Sequence, residues 1–127
     1  MSGAQHAPRG AYRRRPKYAA LPTVMNGFRF ASKAESRRYA ELLLLGAAGE
    51  IRNLELQPRF PLIVGGERVG VYVGDFRYDE RTSDSRSMWM QEWRDVVEDV
   101  KGVKTPVYRL KKRIFEAQYG IPIRETK

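Results

Sequence analysis

The stretch Val96-Val97-Glu98-Asp99-Val100-Lys101-Gly102 places an acidic residue, a spacer and a lysine in a row, and Asp75 lies earlier in a related setting. In a β-strand alternate side chains share a face, so Asp99 and Lys101 point one way while Val96 and Val100 point the other. Val69, Val71 and Val73 alternate with other residues, and the next position on their face is Asp75. Two strands are therefore expected to carry a carboxylate each where an apolar stripe stops. That pairing suits phosphodiester hydrolysis, which needs a nucleophilic water, charge neutralisation at the non-bridging oxygens and help for the leaving oxygen. Magnesium is held by one or two carboxylates and keeps several waters, so Asp75 and Asp99 could bind it with the Val100 carbonyl. Lys101 would orient or deprotonate the attacking water, or stabilise developing charge. Glu98 faces the other way on a regular strand, which makes Asp99 the acidic partner of Lys101.

Composition removes the competing chemistries. There is no cysteine, which excludes disulfides, thiol nucleophiles and cysteine-based zinc sites, and the single His6 sits in a polar leader. Oxygen ligands remain, and with them a hard cation, magnesium or manganese. At 127 residues and 42% hydrophobic content, one domain with a real core is expected. No run is long enough to span a membrane and the first twenty residues lack a signal peptide's apolar centre, so a cytoplasmic protein without membrane contact is expected. The net charge of +9 arises from 24 basic and 15 acidic residues, and no acidic residue precedes Glu35. Clustered cations favour a polyanionic partner, because lysine and arginine that neutralise phosphates release condensed counterions.

The elements that must position these residues are legible in outline. Residues 1–20 carry Arg13, Arg14, Arg15 and Lys17 without apolar periodicity, and read as a flexible basic arm, either a solvated tail or targeting signal or a phosphate-tracking segment; residues 21–127 form the domain. Asn26-Gly27 between short apolar stretches predicts a tight hairpin. A helix is expected over Lys33 to Ala48, with Tyr39, Leu42, Leu43 and Ala47 buried and Arg37, Arg38 and Glu41 outside. Ser32-Lys33-Ala34-Glu35 fits a capping box, which by itself accounts for Glu35. Ile51 to Val64 reads as strand, and its interruptions at Pro58 and Pro61 suit an edge strand or a bulge. Strands over Arg68 to Tyr78 and Met88 to Val100 follow, separated by an exposed loop over Asp79 to Ser87, with Trp89, Gln91, Trp93, Asp95 and Val97 on one face of the second. Thr105-Pro106 opens a second helix with Val107, Leu110, Ile114 and Phe115 as its apolar stripe, and Gly120 ends it. A short strand over Ile121 to Arg124 closes the chain. Lys104, Arg109, Lys111, Lys112 and Arg113 cluster just beyond Lys101 and suit phosphate contact.

The order Ser32-x-x-Glu35, Leu54-Glu55-Leu56-Gln57-Pro58, Asp75-Phe76, Glu98-Asp99-Val100-Lys101-Gly102 and Tyr108-x-Leu110-Lys111-Lys112 resembles a small phage-encoded family of the PD-(D/E)xK nuclease superfamily. Gly74 stands where the superfamily name places a proline. The resemblance, over about Asn26 to Ile123, implies an α/β fold with a restriction-endonuclease-like αβββαβ core, a mixed sheet flanked by helices. It matches Glu35 to the helix glutamate that completes the metal site, and implies a magnesium-dependent endonuclease acting on DNA rather than RNA in a phage-infected or lysogenic bacterial cell. Cutting both strands of a duplex would suit a homodimer. The alternatives are a non-catalytic nucleic-acid-binding phage protein on the same fold and an assembly protein whose basic arm binds an acidic partner.

Overall fold

The computed structural model describes residues 23–25, 27–82 and 92–127. The expected arm with Arg13, Arg14, Arg15 and Lys17 lies outside the described residues, as do Asn26 and residues 83–91, which include Met88, Trp89 and Gln91. Strands β1 (Thr23–Met25) and β2 (Phe28–Phe30) pair antiparallel with Met25 opposite Phe28. Helix α1 (Lys33–Ala47) begins where the Ser32 hydroxyl accepts the Glu35 N–H at 3.2 Å. Strands β3 (Ile51–Leu56), β4 (Arg59–Val64), β5 (Glu67–Val73), β6 (Phe76–Arg81) and β7 (Trp93–Val100) follow, then helix α2 (Pro106–Tyr119) and strand β8 (Ile123–Thr126). No helix among the described residues is long and apolar enough to cross a membrane.

The protein is an α/β molecule built on a mixed four-stranded sheet of order β3-β6-β7-β8, in which β8 runs parallel to β7 and the other neighbours are antiparallel. Leaving out the two strands that form a separate hairpin, the order after β2 is helix, three strands, helix, strand, as the sequence predicts. The hairpin corrects the expectation that Ile51–Val64 and Arg68–Tyr78 are single strands. Each is split, and β4 and β5 pair only with one another. The break falls at Gln57-Pro58 on one side and Gly74-Asp75 on the other. Gln57 has φ 52°, left-handed backbone that interrupts regular pairing, and Pro58 has no N–H to give to a ladder.

Two apolar cores lie on opposite faces of β7. Phe30, Tyr39, Leu42, Ile51, Phe76, Tyr78 and Val96 form one under α1, and Phe60, Leu62, Tyr72, Val97, Tyr108, Phe115 and Ile123 the other, between the hairpin and α2. Several expected faces are rotated. Val69 and Val73 are exposed while Tyr72 between them is buried, because the aromatic side of β5 docks on α2. Leu43 and Ala47 are exposed, and Arg38 turns toward the sheet. On α2, Val107 and Leu110 are exposed, and Tyr108 and Phe115 occupy the core. Tyr108 can be buried because its hydroxyl donates to Glu125 Oε2 at 2.7 Å. Asp79, Glu80 and Arg81, expected in a loop, extend β6; their pairing with β7 is reinforced by Arg124 on Glu80 and Arg77 on Asp95. The last strand lies two residues later than expected.

Arg38 explains how α1 is held. Its guanidinium donates to both oxygens of Glu98, at 2.6 and 3.0 Å, and Glu98, which has no exposed surface, also accepts from Tyr78 Oη at 2.6 Å and Thr126 Oγ1 at 3.0 Å. Removing one partner leaves a buried charge uncompensated, so Arg38→Met is expected to lower stability by about 3 kcal/mol, and Arg38→Met with Glu98→Leu to recover much of it. Urea unfolding of the single and double variants measures both.

Candidate active site

The site lies where the hairpin leaves the sheet. Asp75 N–H donates to Glu98 O, Gln57 N–H to Asp75 O and Gly74 N–H to Pro58 O, each at 3.0 Å, so backbone from three strands closes on this corner. A proline at 74 would lose the last of these bonds. Gly74 is also crowded, since a Cβ there would stand 3.3 Å from Val97 Cγ1 and 3.5 Å from the Tyr72 hydroxyl. Asp75 is thus not the end of a continuous valine stripe but a junction residue, turned so that its Oδ2 accepts the Val100 N–H at 2.7 Å. Val100 enters the site through that amide.

Asp99 points to the same place from the end of β7. Its side chain is 2% exposed, with Tyr72 Oη donating to Oδ2 at 2.5 Å and Lys101 Nζ 3.2 Å from Oδ1. The Lys101 ammonium also lies 4.5 Å from the centre of the Tyr108 ring, a cation–π contact that holds it beside the carboxylate. Glu35 arrives from the first turn of α1. Its amide donates to the Ser32 hydroxyl, but its carboxylate makes no hydrogen bond to the Ser32 amide, so only half of the expected capping box forms; the side chain lies near the Ala31 backbone and Asp75 instead. Asp75 and Asp99 lie within reach of one another as well. The structure thus brings together all four residues predicted for catalysis, Glu35, Asp75, Asp99 and Lys101.

Crowding three carboxylates has an electrostatic consequence. Burial, then the negative charges of Asp99 and Glu35, pushes the Asp75 carboxyl up to about 8, against the opposing effect of the Val100 N–H. Glu35 is raised too, chiefly by burial. A cation would relieve this repulsion, and the oxygen donors suit a hard one. Among the described residues no group of three acidic, histidine or cysteine side chains is arranged to hold a metal ion. A magnesium ion would need only one or two carboxylates, its shell being completed by water.

A basic pocket adjoins the site. Lys104, Arg109, Lys112 and Arg113 line a shallow cavity of about 330 Å³ together with Glu116 and Glu125. Glu125 occupies its floor, with Lys104 Nζ at 3.0 Å and Lys112 Nζ at 3.4 Å, and the Tyr108 hydroxyl followed by these lysines holds its carboxyl down to about 2. Tyr108 therefore touches the pocket with its hydroxyl and Lys101 with its ring. Lys111, grouped with these cations from sequence, does not line the pocket. Sequence reasoning missed Tyr72, Tyr108 and Arg38. Two of them carried a signal: Tyr108 opens the Tyr108-x-Leu110-Lys111-Lys112 motif, and Arg38 follows Glu35 at i,i+3 spacing on α1.

The Asp75 shift has a sign that can be checked. Its carboxyl is raised in the folded protein above the ordinary value of 3.8, so its contribution to stability is fully present below about pH 4 and lost as pH rises through about 8. Without divalent cations, Asp75→Asn is expected to melt above the wild type at pH 9, the difference closing toward pH 4. Thermal melts in chelator across that range measure it.

No curated protein and no solved structure matches the chain. Residues 15–125 match the family described as Protein of unknown function (DUF1064), and the chain belongs to that family.

Proposed function

We propose that this protein is a magnesium- or manganese-dependent nuclease of the PD-(D/E)xK kind that hydrolyses DNA phosphodiester bonds. The observation that carries this reading is the meeting of Asp75 and Asp99, from separate parts of the chain, beside the ammonium of Lys101. Asp75 and Asp99 would hold the metal, with Glu35 and the Val100 carbonyl as further donors. When bound, the metal supplies charge neutralisation at the phosphate and an activated water. Lys101 is kept close to Asp99 and the Tyr108 ring and would orient or deprotonate that water. The basic pocket behind Tyr108 offers cations for the flanking phosphates. Nothing in this constellation reads base edges, so backbone and shape would guide binding, in phage DNA replication, recombination or packaging. The preference for DNA over RNA rests on the family resemblance.

A non-catalytic nucleic-acid-binding protein is the second reading. The Lys101–Asp99 ion pair favours it, because an ammonium already compensates one of the carboxylates without any metal. Incubating the protein with linear, nicked, single-stranded and four-way-junction DNA, with and without magnesium, separates the two.

Asp75→Asn and Asp99→Asn are expected to abolish cleavage while leaving DNA binding equal or tighter, since each removes a negative charge near phosphate. Unchanged cleavage by either variant would sink the assignment. Lys101→Ala should lose most turnover yet keep magnesium affinity in calorimetry, and Lys101→Arg should rescue poorly because a guanidinium stays protonated. For the pocket, Arg109→Ala and Arg113→Ala should each weaken binding across all sequences and reduce the salt slope by about 1. Lys104→Ala and Lys112→Ala should do less, because Glu125 already engages both ammonium groups. A binding titration at several salt concentrations measures the difference.

A further inference from the structure

We infer that Tyr72 is a positioning residue for Asp99, and that through it the β4–β5 hairpin sets the geometry of the metal site. The inference rests on the proposed metal-binding role of Asp99. Tyr72 is 2% exposed and packed among aromatic rings, with Phe115 at 5.1 Å and Phe60 at 6.2 Å between centroids. A phenylalanine would make the same ring contacts, so packing does not account for the hydroxyl. A buried hydroxyl without a partner is costly, and among the described residues this one donates to Asp99 Oδ2 at 2.5 Å.

From the side of Asp99 the bond is equally particular. The carboxylate is nearly inaccessible, and its two oxygens are divided between Tyr72 on Oδ2 and Lys101 on Oδ1. Lys101 is a long, partly exposed side chain at the end of its strand, whereas Tyr72 is locked by its ring. The phenol therefore fixes the orientation of the carboxylate, while the ammonium follows it. A donor to a ligating carboxylate that is held in this way reduces the reorganisation needed to bind the ion, and loss of such partners typically lowers metal affinity about 10–100-fold.

The hairpin gains a role from this. Its other polar ties run to the end of α2, where Gln118 bonds Ile63 N–H at 2.9 Å and Pro61 O at 3.2 Å, and Tyr119 bonds Pro61 O at 2.7 Å. Tyr72 is where the hairpin reaches the acidic cluster.

The test is magnesium binding by calorimetry on wild type, Tyr72→Phe, Phe115→Leu and Asp75→Asn, with thermal melts of each. Tyr72→Phe is expected to bind magnesium about 10-fold more weakly and to melt below wild type, since the buried Asp99 carboxylate loses a donor. Phe115→Leu, which loosens the packing around the ring but keeps the hydroxyl, is expected to melt lower and retain its affinity. Equal affinity in Tyr72→Phe and wild type overturns the inference alone. So does an equal loss of affinity in Phe115→Leu, because packing would then be the cause, or a Tyr72→Phe protein that fails to fold. Wild type that binds no more magnesium than Asp75→Asn overturns the metal reading itself, and this inference with it.

Discussion

Two neighbouring carboxylates on one strand, Glu98 and Asp99, are both buried and face opposite layers of the molecule. A buried charge persists only when it is paired and hydrogen-bonded, so each must recruit donors from whatever packs on its side. Glu98 takes three groups from three elements, Arg38, Tyr78 and Thr126, and both its oxygens are occupied. Asp99 takes Tyr72 and Lys101, and also has Asp75 within reach. The first carboxylate is spent on holding α1 against the sheet; the second stands beside Asp75 in the acidic cluster. Structure and candidate chemistry are separated by the alternation of a single strand.

The split of the long strands has the same origin. Had Ile51–Val64 and Arg68–Tyr78 run straight, Asp75 would have continued the exposed face of Val69 and Val73 toward solvent. The left-handed Gln57, the imide Pro58 and the close-packed Gly74 bend both strands together, and the bend turns Asp75 onto the Val100 amide. The hairpin released by that bend lies against α2 and presents Tyr72 to Asp99. α1, clamped by Arg38, brings Glu35 from the other direction.

Beyond the acidic cluster the balance of charge reverses. Glu125, tied to Tyr108, Lys104 and Lys112, organises the basic pocket and limits its free positive charge. Tyr108 stands between the two regions, its hydroxyl on Glu125 and its ring under Lys101. A phosphate backbone lying across both would meet cations on one side of Tyr108 and the acidic cluster on the other, the arrangement expected if a divalent ion joins the carboxylates to the substrate.

Much of this was legible in the sequence because it depends on local periodicity and capping. Alternation assigned Asp99 and Lys101 to one face and Glu98 to the other; Ser32, Thr105-Pro106 and Gly120 marked helix ends that the structure keeps. The αβββαβ order and the four acidic and basic residues of the cluster also followed from pattern and resemblance. Tertiary structure decided what no local window contains. The valines of β5 and the Val107–Leu110 stripe of α2 had the right spacing for a core, yet aromatic residues one position away are buried instead. Tyr72 and Tyr108 remove more apolar surface from water than a valine, and their hydroxyls find Asp99 and Glu125 only once distant segments have packed. The donors to Glu98, Asp99 and Asp75 come from 20 to 60 residues away along the chain, apart from Lys101 beside Asp99. Spacing within an element names the groups that face the same way; only packing between elements sets which of them meet.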